Sequence, residues 1–358
     1  MTSKSPRSKG RPRTEREATI RDVAAKAGVS VATVSRVLND KKLVREDTSR
    51  DVREAARLLR YVPNVAARSL SVRRSHTIGV LLPDVHGQFF SEVIRGIDAA
   101  ARSEKFHILV SGWHSDSAEM LEMVNAMRGR VDGLLVMAPD LGVAALRSQL
   151  AFDLPMVILN SSDDQHDAIT IDNFGGALAM TRHLIEMGHT RVAFIKGPTH
   201  NVDARERLRG YRRGLRRTVQ QQLEPIEFEG DFSEGAGSEA ALKIISQKQK
   251  RPTAVFAAND SMAVGLISTL VESGIRVPEE IAVAGFDDIP IARYISPALT
   301  TVRIDVAEMG RCAFRLLLDS FGDRRHPPRR ESIATSLVVR KSCGSTAPTN
   351  EKQDSGAA

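Results

Sequence analysis

Apolar residues recur along this chain in two rhythms, and the change from one to the other divides it. Near the N-terminus the spacing is helical. Ile20, Val23, Ala24 and Ala27 fall on one face, Gly28 interrupts, and Val34, Val37 and Leu38 resume the pattern. This predicts two short helices, with Gly28 taking the left-handed conformation that ends the first and Ser30 capping the second. Val52, Ala55, Ala56 and Leu59 predict a third helix over 48–59, completing a small three-helix head. Val31, Ala32, Ser35 and Arg36 are then left facing outward. A helix that starts with small side chains and offers an arginine one turn later suits the major groove of DNA. A partnerless αα-hairpin is the plainer alternative.

Pro63 stops any helix before it and opens the segment 64–70, too short to be helical alone. A piece that becomes helical only when docked suits gating, ordering on DNA and loosening when the rest of the chain changes shape. An ordinary linker is the alternative, but the apolar Leu70 at its end has no use in a solvated linker.

From His76 the rhythm changes. Apolar runs at 78–82, 107–110, 133–137 and 156–159 alternate with helical stretches at 90–102 and 118–127. The pattern restarts after a polar connection at 160–167. It then predicts strands at 191–196, 254–258 and 281–285 and helices at 173–187, 204–219, 233–246 and 261–273. Such alternation predicts parallel sheets covered on both faces, and the break predicts two lobes. Ligands in these folds sit at the carboxyl ends of the strands, which a two-lobed body brings into its cleft.

Composition adds a charge asymmetry. Residues 1–74 hold 19 Lys and Arg against 8 Asp and Glu, a net of +11, so the chain total of +7 leaves the remainder at −4. A basic head on a mildly acidic body fits a polyanion partner. Residues 1–17 lack apolar periodicity and read as a disordered basic tail, in which Lys9-Gly10-Arg11-Pro12-Arg13 has the look of a minor-groove AT-hook core. Residues 342–358 read as a second unstructured tail. No apolar run is long enough to span a bilayer and no signal peptide is legible, which points to the cytoplasm and to no membrane partner. Cys312 and Cys343 show neither metal-ligand spacing nor a disulfide framework.

Motifs for dinucleotides, nucleotide triphosphates, zinc hydrolysis and the serine nucleophile elbow are missing, so neither cofactor, metal nor catalytic residue is expected. His183 and His189 have no clustered partner in the sequence and read as surface or capping residues.

The ordered motifs Asp22-Val-Ala, Gly28-Val-Ser, Thr33-Val-Ser-Arg36-Val-Leu-Asn39 and Tyr61-Val-Pro-Asn-Val-Ala-Ala-Arg-Ser-Leu70 continue with Ile78-Gly-Val-Leu-Leu-Pro-Asp84, Asn259-Asp260, Gly285-Phe-Asp-Asp288 and Leu299-Thr-Thr-Val302. From Thr19 to Lys341 the chain resembles the lac repressor/galactose repressor (LacI/GalR) family of bacterial transcription regulators. That resemblance implies a helix-turn-helix head at 18–62, a hinge at 63–74, and a two-lobed α/β body like a periplasmic binding protein at 75–341. It implies a repressor that acts as a homodimer or tetramer on a pseudo-palindromic operator, with a small effector in the cleft. By position, Val31, Ala32 and Arg36 match base-reading residues, and Thr33, Ser35 and Asn39 match phosphate and base-edge contacts. Leu70 matches a minor-groove wedge. Phe89, Phe90, Asn160, Asp172, Asn201, Asp203, Arg207, Phe232, Asn259 and Asp287 match effector positions.

Four positions depart from the family pattern. Arg45 stands at the usual Ser or Thr cap of the third helix, and Arg60 at the usual glycine that ends it. Asn201 and Asp203 replace the arginine and hydroxyl residue of purine-type regulators, which leans the effector toward a sugar or sugar derivative. A transport binding protein would need a signal peptide and no DNA head, and an architectural DNA protein would have no use for polar cleft residues. An enzyme pairing Asp172 with Asp287 is outweighed by the commoner use of such carboxylates to accept sugar hydroxyls.

Overall fold

A computed structural model describes residues 18–38, 44–61, 75–114, 116–140, 154–162, 165–218, 221–247, 250–322 and 326–344. They fall into two compact units that divide between Ser75 and His76. Residues 1–17, Asn39, the hinge segment 63–74 with Leu70, and 345–358 lie outside the described residues. Ser342 and Cys343, expected to open the unstructured tail, are instead buried in the short turn Lys341–Cys343, where Ser342 Oγ donates to Val283 O at 2.6 Å.

The first unit is helical: α1 (Ile20–Lys26), α2 (Val31–Leu38) and α3 (Glu46–Leu58). Val23 and Ala24, Val34 and Val37, and Val52, Ala55 and Ala56 meet in its core.

The second unit is an α/β body with two six-stranded sheets. The first has the order β13-β5-β4-β3-β1-β2, all parallel, from β1 (Thr77–Leu82), β2 (His107–Gly112), β3 (Gly133–Met137), β4 (Met156–Leu159), β5 (Asp167–Ile171) and β13 (Arg330–Ile333). The second has the order β14-β12-β11-β10-β6-β9, from β6 (Val192–Ile195), β9 (Ile226–Phe228), β10 (Ala254–Ala257), β11 (Ala282–Asp287), β12 (Thr300–Ile304) and β14 (Thr335–Val338). Only its β12–β14 pair is antiparallel. β7 (Arg216–Thr218) and β8 (Gln221–Gln222) make a small separate hairpin. The central strands are apolar and buried throughout, as parallel strands covered on both faces must be.

The first lobe carries α4 (Gln88–Ser103), α5 (Ser117–Met127) and α10 (Val306–Ser320); the second carries α6 (Asn173–Glu186), α7 (Val202–Gly214), α8 (Glu234–Ser246) and α9 (Asp260–Glu272). Helices α8 and α9 touch backbone to backbone. A β-carbon on Gly237 would strike the carbonyl of Met262, and one on Gly265 that of Glu234. Among the described residues no helix is long and apolar enough to cross a membrane.

Three expectations need correction. The polar connection at 160–167 is not the lobe boundary, because Asp167–Ile171 is a fifth strand of the first sheet and the chain crosses only after it. The helix expected at 204–219 ends at Gly214 and gives way to the β7–β8 hairpin. Residues 300–338, in which no elements were read, form β12, α10, β13 and β14. Through them the chain returns to the first lobe and crosses back again. The lobes are thus joined by three crossings of the chain.

Candidate nucleic-acid interface and ligand cleft

In the head, the Asp22 carboxylate accepts from the backbone N–H (2.8 Å) and hydroxyl (2.7 Å) of Thr19 and fixes the start of α1. Gly28, at φ +66°, ends that helix. Ser30 Oγ then accepts from Thr33 N at 3.1 Å and caps α2. Val34 and Val37 face the core, which leaves Val31, Ala32 and Arg36 exposed, with Thr33 and Ser35 half-buried. Val31 is 41% exposed at the first position of α2. At the other end of the head, Arg45 gives α3 no side-chain cap, and Glu46 and Asp47 complement the helix dipole instead. Arg60 takes φ +48°, so an arginine bears the left-handed strain that a glycine would avoid.

The cleft of the body has a volume of about 430 Å³, within the range of small-molecule sites. The first lobe contributes Phe89 and Phe90 from α4 and Asn160 after β4; the second contributes Asn201, Asp203 and Arg207 from the start of α7, Phe232 after β9, Asn259 after β10 and Asp287 at the end of β11. These sit at the carboxyl ends of parallel strands, in the loops that follow them or in the opening turns of the next helices.

At the centre lies a buried polar cluster. Asn160 Nδ2 donates to Asp203 Oδ2 (2.8 Å) and Asn173 Nδ2 to Asp203 Oδ1 (2.7 Å). Arg207 donates through Nε to Asn173 Oδ1 (2.8 Å) and through Nη1 to Ala258 O (2.7 Å), and Nη1 lies 3.1 Å from Asp287 Oδ1. Its guanidinium carbon rides 3.9 Å above the centre of the Phe286 ring. Burial pushes the Asp203 and Asp287 carboxyls up to about 6, against the pull of Arg207. Asn160, Phe232 and Asp287 all have positive φ, at +57°, +74° and +114°. Asparagine tolerates the left-handed region, but Phe232 and Asp287 do not do so readily, and holding them there costs about 1–3 kcal/mol each.

Contacts across the cleft keep the lobes together. Asn201 Nδ2 donates to Asp140 Oδ1 at 2.9 Å, Val202 N to Pro139 O at 3.0 Å, and Ile291 N to Gln88 Oε1 at 2.8 Å.

Of the expected effector residues, Asp172 is not part of this lining. It is exposed and caps α6, its Oδ1 accepting from Gly175 N at 2.9 Å. Sequence reasoning missed Asn173, which joins Asp203 to Arg207, and Asp140, which accepts from Asn201; Asn173 was read only as the start of a helix, and Asp140 carried no signal. Asp260 was also missed as a support. It accepts from Ile289 N (2.9 Å) and Thr301 Oγ1 (2.5 Å) and anchors the loop after Asp287. Nor is His183 without a partner, since its Nε2 lies 3.6 Å from Cys343 Sγ.

Comparison with known proteins agrees with this two-part layout. Residues 19–64 match the model described as bacterial regulatory proteins, lacI family, and residues 181–343 match a periplasmic binding protein-like domain. The HTH-type transcriptional repressor PurR of Aliivibrio fischeri (strain MJ11) is 37% identical over 330 residues, covering 91% of this chain and 98% of that protein. A lac repressor dimer bound to operator and the anti-inducer ONPF superimposes with a TM-score of 0.81 at 32% identity, over 92% of this chain and 99% of that one. The regulator CelR in complex with cellobiose gives a TM-score of 0.67 at 31% identity, over 91% and 99%. The chain belongs to the LacI family of bacterial regulatory proteins and is a DNA-binding transcriptional repressor of that family.

Proposed function

We propose that the protein acts in the cytoplasm as a homodimer or tetramer on a pseudo-palindromic operator, and that a sugar or sugar derivative bound between the lobes releases it. The observation that carries the effector half is the buried cluster of Asp203, Arg207 and Asp287, in which Asn160 Oδ1 and Asp287 Oδ1 are buried without an aligned donor. Acceptors of this kind call for a ligand rich in hydroxyl donors, and Phe89, Phe90 and Phe232 offer apolar surface to the face of a sugar ring. The cellobiose complex of CelR supports the same reading. A purine base is the competing occupant, since a flat ring could also lie against these phenylalanines.

In the head, Val31, Ala32 and Arg36 are the proposed base readers, with Thr33, Ser35 and Asn39 on phosphates and base edges and Leu70 as the wedge at the operator centre. Tyr294, 79% exposed, and Leu109 on the edge strand β2 are apolar surfaces that a second copy would cover. Light scattering of the full chain tests the assembly: a dimer or tetramer is expected, and a monomer at micromolar concentration contradicts it. A thermal-shift screen of sugars and nucleobases tests the effector, because a ligand of the native state raises the unfolding temperature. Stabilisation by a sugar that is lost in Arg207→Ala is expected; stabilisation by nucleobases alone favours the purine reading.

A further inference from the structure

The cleft carries far more negative than positive charge. Asp84, Asp140, Asp203, Asp231, Glu234 and Asp287 line it, and Arg207 is the single Lys or Arg among the described lining residues; His86 and His200 also line it, against Asp84 and Asp140 at the rim. Arg207 is already committed to Asn173, Ala258 and Asp287. Asp203 and Asp287 are both buried, at 8% and 6% exposure; the guanidinium pairs with Asp287 and is linked to Asp203 only through Asn173, which leaves the floor of the cleft one negative charge in excess. A buried charge without a counterion is costly, so this site is built for something that supplies one. The two acceptors without aligned donors, Asn160 Oδ1 and Asp287 Oδ1, belong to the same floor. A sugar hydroxyl satisfies an acceptor but leaves the charge in place. An ammonium group does both, with three N–H donors and a positive charge.

We infer that the cleft takes a cationic polyhydroxylated amine, an amino sugar, in preference to the neutral sugar with the same ring and against phosphorylated sugars. The inference rests on the cleft being the effector site and specifies the charge class of its ligand.

Calorimetric titration of the full-length protein tests it, with glucosamine, galactosamine and mannosamine each measured beside the parent hexose, the N-acetyl derivative and the 6-phosphate. At least one amine should bind about tenfold or more tightly than its three counterparts. In Asp203→Asn and Asp287→Asn that preference should contract toward unity. Equal or tighter binding of the hexose, N-acetyl derivative or 6-phosphate overturns the inference while leaving a carbohydrate effector standing. So does an amine preference that survives unchanged in both variants. The ligand comparison needs only the wild-type chain, so a variant that fails to fold does not block the test. A panel in which no compound binds overturns the carbohydrate reading itself, and the amine preference with it.

Discussion

Asn160 and Asp203 meet across the cleft at 2.8 Å, amide nitrogen to carboxylate oxygen, and they belong to different lobes. Asp203 is in turn held by Asn173, and Asn173 by Arg207, so a single chain of hydrogen bonds runs from the end of β4 to the floor of the second lobe. Any ligand that binds here must join this chain or displace it. That gives it a way to favour one arrangement of the lobes over another, provided its affinity for the two differs. Replacing Asn160 with alanine leaves Asp203 short of a donor in a buried site. The body should lose about 1–3 kcal/mol of stability, and the unliganded protein should show a larger radius of gyration in solution scattering. An Asn160→Ala protein as stable and as compact as wild type contradicts the latch.

The same cluster sets a pH dependence. Asp203 and Asp287 are pushed up to about 6 by burial, whereas in the unfolded chain they titrate near 4. The native state therefore binds more protons between about pH 4 and 6, so ionisation of these groups weighs against folding above pH 6 and is relieved on acidification. The charged groups facing them are Arg207, Asp140 and the buried Asp260, whose own carboxyl is raised by burial and by Asp287. In urea denaturation, wild type should lose stability relative to Asp287→Asn as the pH rises from 5 to 7. A difference that stays constant across that interval would rule out this assignment.

In the head, exposed Arg36 lies one turn beyond the exposed start of α2. Arg36→Ala should cost about 1–3 kcal/mol of discrimination at one base pair per half-site, and leave ligand binding to the body unchanged. Operator selection from a randomised DNA pool reads this directly. An Arg36→Ala protein that selects the wild-type operator with undiminished preference removes Arg36 from the base readers.

The ends of the head helices make opposite predictions. Ser30→Ala removes the cap on Thr33 N and should destabilise the head by about 1 kcal/mol. Arg60→Gly relieves a residue at φ +48° and should stabilise it by a similar amount. Amide exchange at Val34 and Val52 in the full chain should slow in Arg60→Gly and quicken in Ser30→Ala; changes of the same sign in both would contradict the capping account.

The head was legible because its order is local. Gly28, Ser30 and the helical spacing of small apolar residues each act within a few positions of themselves. The central strands were legible for a similar reason, since a strand buried on both faces must be apolar along its whole length. Asp167–Ile171 was missed because it opens on a charged residue, one that is buried by a partner far along the chain: Arg329 N donates to its carboxylate at 2.7 Å. In the cleft, residue identity was readable but geometry was not. Nothing in the sequence separates Asp172, spent on its own helix, from Asp203, whose carboxylate faces two carboxamides from different lobes. The positive φ of Phe232 and Asp287 is likewise a tertiary result, imposed on residues that seldom adopt it.

The central claim is that the cleft and the head are coupled. Its most direct test is to measure operator affinity by fluorescence anisotropy in the presence and absence of a saturating sugar found by the screen, in wild type and in Arg207→Ala. The account predicts that the sugar weakens operator binding of wild type by about 5- to 150-fold and leaves Arg207→Ala unaffected. Operator affinity that is unchanged by a sugar demonstrably bound to the wild-type protein, or that falls equally in Arg207→Ala, would contradict it.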